Sequence, residues 1–256
     1  MSNKFIASVF LAAASAAPVF ATGAEPTPEF TFTGNAALSS EYIFRGIGQT
    51  DRKPAISGGV DLAHASGLYV GNWNSNISWL SDSNASVSSS IEMDFYGGYK
   101  GKITDALSYD IGDLYYYYPG RYPNGFTKPH TNEVYVALTF GPLTAKYSYA
   151  TTNLFGTLTP SGEKTDGSGY IDLTYTGDLG NGLTLGAHVG HQTVKGFSDA
   201  SYTDYKLGLT KDFYGYAVSA AFVGTNAKGN SGEFYHNAFD KDLGKNRLLV
   251  SVGKTF

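Results

Sequence analysis

Glu133-Val134-Tyr135-Val136-Ala137-Leu138-Thr139-Phe140, then Gly141-Pro142, then Leu143-Thr144-Ala145-Lys146-Tyr147-Ser148-Tyr149, is the stretch whose reading decides the fold. In its first half Val134, Val136, Leu138 and Phe140 share one parity, and Glu133, Tyr135 and Thr139 share the other. In its second half Leu143, Ala145, Tyr147 and Tyr149 stand against Thr144, Lys146 and Ser148. Successive side chains of a strand point to opposite faces, so each half has one apolar and one polar face. A helix would bring its apolar residues back at intervals of three and four. The two-residue Gly-Pro link then makes the halves antiparallel neighbours.

The same alternation runs outward in both directions. Upstream, Phe30, Phe32, Ala36, Leu38, Tyr42 and Phe44 oppose Thr31, Thr33, Asn35, Ser39, Glu41 and Arg45, and Ile56, Val60 and Leu62 oppose Ser57, Gly59 and Asp61. Tyr69, Trp73, Ile77 and Trp79 oppose Asn72, Asn74, Asn76 and Ser78; Ile91, Met93, Phe95 and Tyr99 oppose Glu92, Asp94, Tyr96 and Lys100. Downstream, Ile171, Leu173 and Tyr175 oppose Asp172 and Thr174; Leu183, Leu185, Ala187 and Val189 oppose Thr184, His188 and Gln192; Tyr205, Leu207 and Leu209 oppose Asp204, Lys206 and Thr210. Tyr216, Val218, Ala220 and Phe222, and finally Leu248, Val250, Val252 and Phe256, supply two more apolar faces. From Tyr109 to Tyr118 both parities carry aromatics and an acid, so that strand takes no face assignment. The pattern predicts about twelve strands with the apolar sets turned to lipid and the polar sets enclosed.

The connections separate this reading from a soluble Greek-key sandwich or lectin-like domain. With the N-terminus on the periplasmic side, His64-Gly67, Gly101-Ala106, Gly141-Pro142, Gly177-Gly182 and Lys211-Tyr214 are short inner turns. Leu80-Ser89, Pro119-Thr131, Thr152-Gly169 and Gly224-Asn246 are longer and rich in Gly, Ser, Asn and Pro. A sandwich has no reason to sort loop length by parity, whereas a transmembrane barrel does. Tyr42, Tyr69, Tyr99, Tyr147, Tyr175 and Tyr214 lie near strand ends, where an apolar ring with a polar tip suits a membrane interface. The expected fold is all-β: one antiparallel up-and-down transmembrane β-barrel over residues 22–256.

The N-terminus sets the compartment. Lys4 gives a positive start, Phe5 to Ala14 an apolar run too short to span a bilayer, and Val19-Phe20-Ala21 a small-x-small cleavage site. Residues 1–21 are therefore read as a signal peptide, with the mature chain starting near Thr22. Loss of Lys4 takes the formal net charge from -4 to -5, which argues against nucleic acid as a partner. Cysteine is absent from an exported chain, so stability has to come from sheet closure. A charged fraction of 16% beside 20 tyrosines and 16 phenylalanines fits a barrel wall whose alternation hides its hydrophobicity.

A family resemblance rests on Glu41-Tyr42-Ile43-Phe44-Arg45-Gly46, Pro54-Ala55, Gly58-Gly59-Val60-Asp61, Gly67-Leu68-Tyr69-Val70-Gly71-Asn72-Trp73, Ser75-Asn76, Glu92-Met93-Asp94-Phe95-Tyr96-Gly97-Gly98-Tyr99 and Tyr115 to Pro119. These resemble the TorF-type family of porins, long described as conserved bacterial proteins of unknown function. The match runs over most of the mature chain and is most specific between Ser39 and Pro119. It implies an outer-membrane β-barrel in a Gram-negative bacterium and brings no catalytic or ligand residues. The terminal Phe256 fits the closing aromatic that barrel assembly machinery reads, which makes that machinery and outer-membrane lipid the expected partners.

The inward parities place seven acids (Glu41, Asp61, Glu92, Asp94, Glu133, Asp172, Asp204) and four bases (Arg45, Lys100, Lys146, Lys206) in the lumen. Eight strands leave an interior just filled by side chains, and sixteen leave a water channel. Twelve strands predict a narrow passive pore, partly bridged by acid-base pairs, for small solutes or ions with a mild preference for cations. The candidate pore-lining residues are Arg45, Asp61, Glu92, Asp94, Glu133, Lys146, Asp172, Asp204 and Lys206. The other consistent reading is a non-conducting structural or adhesive barrel, whose paired charges neutralise one another inside a plug. Arg45 near Glu92 and Asp94 would serve either as a charge filter or as a brace.

Catalysis and cofactors find no support. His188 and His191 are three apart on a strand and face opposite sides, so they share no metal. No serine sits in a G-x-S-x-G elbow. Gly58-Gly59 and Gly97-Gly98 lie inside strands and lack the lysine and helix of a phosphate-binding loop. Tyr115 to Tyr118 reads as interfacial girdle in preference to a sugar platform, and the Gly224 to Asn246 loop as solvated in preference to a lid.

Overall fold

The computed structural model describes residues 28–256, so the signal peptide read at Met1 to Ala21 lies outside the described residues. The strands are β1 (Phe30–Ser39), β2 (Ile43–Phe44), β3 (Ile47–Gly48), β4 (Ala55–His64), β5 (Leu68–Asn76), β6 (Ile91–Lys102) and β7 (Leu107–Tyr117). They continue as β8 (Thr131–Phe140), β9 (Leu143–Ala150), β10 (Gly169–Asp178), β11 (Leu183–Thr193), β12 (Tyr202–Phe213), β13 (Tyr216–Thr225) and β14 (Arg247–Thr255). All except β2 and β3 form one closed antiparallel barrel of twelve strands, each beside its neighbour in sequence. The ring shuts where β1 meets β14, with Asn35 opposite Thr255 and Leu38 opposite Val252. Closure leaves no edge of unpaired backbone, which is the condition for a sheet in hydrocarbon.

The apolar faces point outward. Phe32 is 68% exposed, Leu207 57% and Ile171 56%, an arrangement that water would penalise and lipid does not. At one end the strands are joined by the tight turns 65–67, 103–106, 141–142, 179–182 and 214–215. At the other they are joined by the longer segments 40–54, 77–90, 118–130, 151–168, 194–201 and 226–246. A short helix, α1 (Trp79–Ser83), lies in the second of these. No helix among the described residues is long and apolar enough to cross a membrane. This is the architecture of an outer-membrane barrel, with inner turns and outer loops.

Two face assignments from the sequence are overturned. β1 stops at Ser39, and the chain then dives into the barrel, so Tyr42 is buried and Phe44 packs edge-on against Tyr116 and Phe155 inside it. In β5 the faces are inverted: Leu68 and Val70 are outward, and with them Asn72, Asn74 and Asn76, while Tyr69 and Trp73 point inward and Ile77 is buried. The interior needs bulk at this point, and Trp73 provides it by packing 5.4 Å from Tyr42. The asparagines meet their needs on the wall itself: Asn72 donates to the Asp94 carbonyl at 2.9 Å, Asn74 donates to Asn72 at 2.6 Å, and Asn76 accepts the Ile56 N–H at 2.7 Å. Trp79 opens α1 and packs on Tyr118 instead of facing lipid. Tyr42 and Tyr69 therefore leave the interfacial girdle, whereas Tyr99, Tyr147, Tyr175 and Tyr214 are exposed. The unassigned strand, β7, turns Ile111, Tyr115 and Tyr117 outward and Leu114 and Tyr116 inward.

Candidate functional site

The most constrained feature of the lumen is the inner hairpin β2–β3. Ile43 stands opposite Gly48 and Phe44 opposite Ile47, which leaves Arg45 and Gly46 as the two-residue turn. Both are left-handed (φ 45° and 78°), the combination a tight hairpin of this hand requires. Gly46 has a second reason to be glycine, since a Cβ there would lie 2.3 Å from Thr225 and 2.7 Å from Asp204. The hairpin tip is thus pressed against β12 and β13.

Arg45 ties the tip to the opposite wall. Its guanidinium pairs with both carboxylate oxygens of Glu133 on β8, at 2.7 and 3.0 Å, and donates to Gln192 on β11 at 2.7 Å. It also lies over the ring of Tyr170 on β10, 4.1 Å from its centre. A planar fork suits this bidentate grip better than an ammonium would. The expected meeting of Arg45 with Glu92 and Asp94 does not occur. Glu92 instead accepts the hydroxyls of Tyr42 at 2.5 Å and Tyr118 at 2.6 Å, which satisfy it without a cation and let the hairpin pass on to β8. Asp94 is buried beside it, with one carboxylate oxygen lacking a hydrogen-bond partner.

Around the arc from β4 to β12, acids, bases and tyrosines hold one another. Asp61 accepts the Tyr96 hydroxyl at 2.6 Å. Tyr69 donates to Asp110 at 2.5 Å and touches the Tyr135 hydroxyl, and Lys100 stands 3.7 Å from Asp110 above the Tyr69 ring. Lys146 sits 3.9 Å from the centre of the Tyr135 ring. Asp172 follows, 3.9 Å from His188, which bonds Asp204 at 3.0 Å; Asp204 also takes the Tyr170 hydroxyl at 2.9 Å. Lys206 is in register with His188 on the same inner face. Sequence reading missed Asp110, Tyr69 and Arg247. The first lay on the unassigned strand, the second on the inverted one, and the third on a final strand whose inner face was not read.

The remaining arc is different. β13 presents Ala217, Ser219 and Ala221, β14 presents Ser251 and Gly253, and β1 presents Thr33, Ala37 and Ser39. The Ser219 and Ser251 hydroxyls bond each other at 2.6 Å. Such small side chains leave a narrow cleft on this side, about 20 Å³ between Ser39, Lys206, Thr210, Ser219 and Ser251. The hairpin fills its outer half, where Ile43 packs on Ala221, Val223 and Leu249.

Above the hairpin lies a cavity of about 450 Å³ bounded by Phe44, Trp79, Tyr118, Phe155, Tyr202 and Tyr235 among others. Segment 226–246 roofs it, so this loop is docked over the mouth, contrary to the solvated state expected from sequence. Asn237 donates to Asp51 at 2.9 Å, Lys241 pairs with Asp51 at 2.8 Å, and Gly48 N–H donates to the Leu243 carbonyl at 2.9 Å. Arg247 grips Glu41, 3.0 Å to each oxygen. Burial raises the Asp51 carboxyl, but the hydrogen bonds from Lys241 and Asn237 and the charges of Lys241 and Lys53 outweigh it and hold it below the ordinary carboxylate value. Among the described residues no group of three His, Cys, Asp or Glu side chains is placed to hold a metal.

Solved structures of similar fold include the KdgM porin in complex with disordered oligogalacturonate, at a TM-score of 0.52 and 8% identity, over 88% of this chain and 99% of that one. The NanC porin matches at 0.52 and 11% identity with the same coverage of both chains. At such identities the likeness is one of fold. No curated protein matches the sequence. A family model covers residues 23–256, nearly the whole of the chain described above, and by that match the protein belongs to the bacterial family of unknown function Gcw_chp.

Proposed function

We propose that this chain is a porin of the TorF type: a narrow, passive outer-membrane channel for small solutes or ions with a mild preference for cations. The observation that carries this is the uneven lumen, in which one arc is crowded by paired charges and the other is lined by Ser, Thr, Gly and Ala and narrowed by one hairpin. A barrel that served only as a wall would gain by filling that arc with large apolar side chains. The fold shared with the KdgM and NanC porins supports the reading. Arg45, Asp61, Glu92, Asp94, Glu133, Lys146, Asp172, Asp204 and Lys206 are proposed to bound the path from the crowded arc, with Glu92, Asp94, Glu133 and Asp204 buried behind its surface, and their excess of acids gives the ionic preference. The second reading, a non-conducting structural or adhesive barrel, is favoured by the Arg45–Glu133 tie across the lumen.

Single-channel recording of the refolded protein in a planar bilayer decides between them. Discrete steps, with a reversal potential in a salt gradient displaced toward the cation value, are expected; a folded but silent barrel selects the second reading. Assembly into the membrane is proposed to use the last strand, where Phe256 exchanges backbone hydrogen bonds with Gly34 at 2.8 and 3.2 Å across the seam. Removing Phe256 should lower the yield of membrane-inserted barrel, and an unchanged yield would end that assignment.

A further inference from the structure

The lipid-facing wall is not uniform. From β9 to β14 its outward positions include Ala145, Leu173, Val189, Leu207, Phe222 and Val250, as a hydrocarbon solvent demands, with the bonded polar pair His191–Thr203 lying near the outer ends of β11 and β12. β5 instead turns Asn72, Asn74 and Asn76 outward, β8 turns Asn132 outward, and β7 exposes Asp113 between Ile111 and Tyr115. Asn132 donates to both oxygens of Asp113, at 2.7 and 2.9 Å, so the charge is anchored on the outer surface and does not reach the lumen. The asparagines of β5 already bond within the wall, but Asp113 carries a charge that an amide donor does not neutralise, and lipid tails offer a charge nothing, whereas protein does.

The register sets their depth. The row of paired residues through Asp113 begins at Val70, near the inner end of β5, passes Gly97, Asp113, Val134 and Tyr149, and reaches Gly169 at the outer end of β10. Rows therefore climb from β5 toward β10, as strands tilted by about 35–45° require. Asn72 shares its row with Phe95 and Tyr115, but it lies two strands back from β7 and is lower than Tyr115 by about one outward position. That brings it to the depth of Asp113. A two-fold axis along the membrane normal keeps each residue at its own depth and makes the contact reciprocal. With the axis over β6, Asn72 of one copy meets the partner's Asp113, and the reverse contact forms on the other side. The amide donates and the carboxylate accepts, while the two carboxylates stay apart. Gly97, near the axis, lets the backbones approach.

We propose that the β5–β8 wall is an interface between two copies of this chain within the membrane. The chain has no cysteine of its own, so single thiols report cleanly. Phe95→Cys, close to the axis, should give several-fold more disulfide-linked dimer on mild oxidation in membranes than Leu209→Cys on the far wall. Adding Asn72→Leu and Asp113→Leu to Phe95→Cys should reduce the dimer to the Leu209→Cys level. Should that combination fail to fold, the double variant Asn72→Cys with Asp113→Cys tests the same contact by linking position 72 of one copy to position 113 of the other. Equal cross-linking at positions 95 and 209, no 72-to-113 link, or dimers that survive the leucine substitutions would overturn the proposal.

Discussion

The two arcs of the lumen meet the same requirement, a polar interior, in opposite ways. From β4 to β12 the wall is built of long side chains that neutralise one another: Lys100 with Asp110, His188 with Asp204, and tyrosine hydroxyls on Asp61, Glu92 and Asp110. From β13 through β14 to β1 its inner half is built of hydroxyls and methyls that need little pairing, and only toward the outer end do Val223, Leu249 and the Arg247–Glu41 pair add bulk. Bulk on one side confines the room left on the other to a narrow cleft. The hairpin takes the outer half of that room, and Arg45 at its tip crosses to the crowded arc at Glu133.

The largest effect should come from breaking that crossing. Arg45→Ala leaves Glu133 buried without its cation, and removing one partner of a buried pair costs about 3–5 kcal/mol. The temperature at which the barrel loses its fast-migrating form in detergent gels should fall accordingly, and Arg45→Lys should recover only part of the loss, because an ammonium cannot grip both oxygens. Within the crowded arc, Tyr69→Phe removes a hydroxyl bonded to a carboxylate and should cost about 1.5–3 kcal/mol in urea unfolding. An unchanged midpoint would mean that the tyrosine–acid pairs do not hold this arc.

The arcs should also separate by readout. Ser219→Phe places a ring in the open arc and should lower conductance several-fold while leaving ion preference alone. Lys146→Met removes a positive charge from the crowded arc and should move the reversal potential further toward the cation value with little change in step size. A reversed outcome would place the path on the other side. The smallest effect is expected at the mouth. Because the Asp51 carboxyl is held below its ordinary value in the fold, its contribution is complete above the usual carboxylate range and is lost as pH falls through the folded value. Proteolytic protection of segment 226–246 should therefore weaken at acid pH, and Asp51→Asn should flatten that dependence.

Much of this was legible in the sequence, and the parts that were not share a cause. Strands whose two parities differ cleanly, such as Val134 to Phe140 and Leu183 to Val189, revealed their faces because only lipid selects one uninterrupted apolar row. β5 misled because its interior face carries the large rings of Tyr69 and Trp73 and its exterior face the amides, the reverse of ordinary barrel chemistry. Leu68 and Val70, on the asparagine parity, were the signal to heed. Period two also continued through Tyr42 and Phe44, which concealed the inward turn, although Arg45-Gly46 is a residue pair that a left-handed two-residue turn can accept. The partner of Arg45 was not legible at all. It depends on how far the hairpin reaches across the barrel, a distance that no local pattern encodes.

The central claim is that this hairpin, held by Arg45, is what narrows an otherwise open side of the barrel. Step conductance of the wild-type protein and of Arg45→Ala, measured side by side in planar bilayers, tests it most directly. The account predicts small steps for the wild type and clearly larger ones for the variant, with both proteins heat-modifiable. Equal steps from two folded barrels, or silence from both, would contradict it.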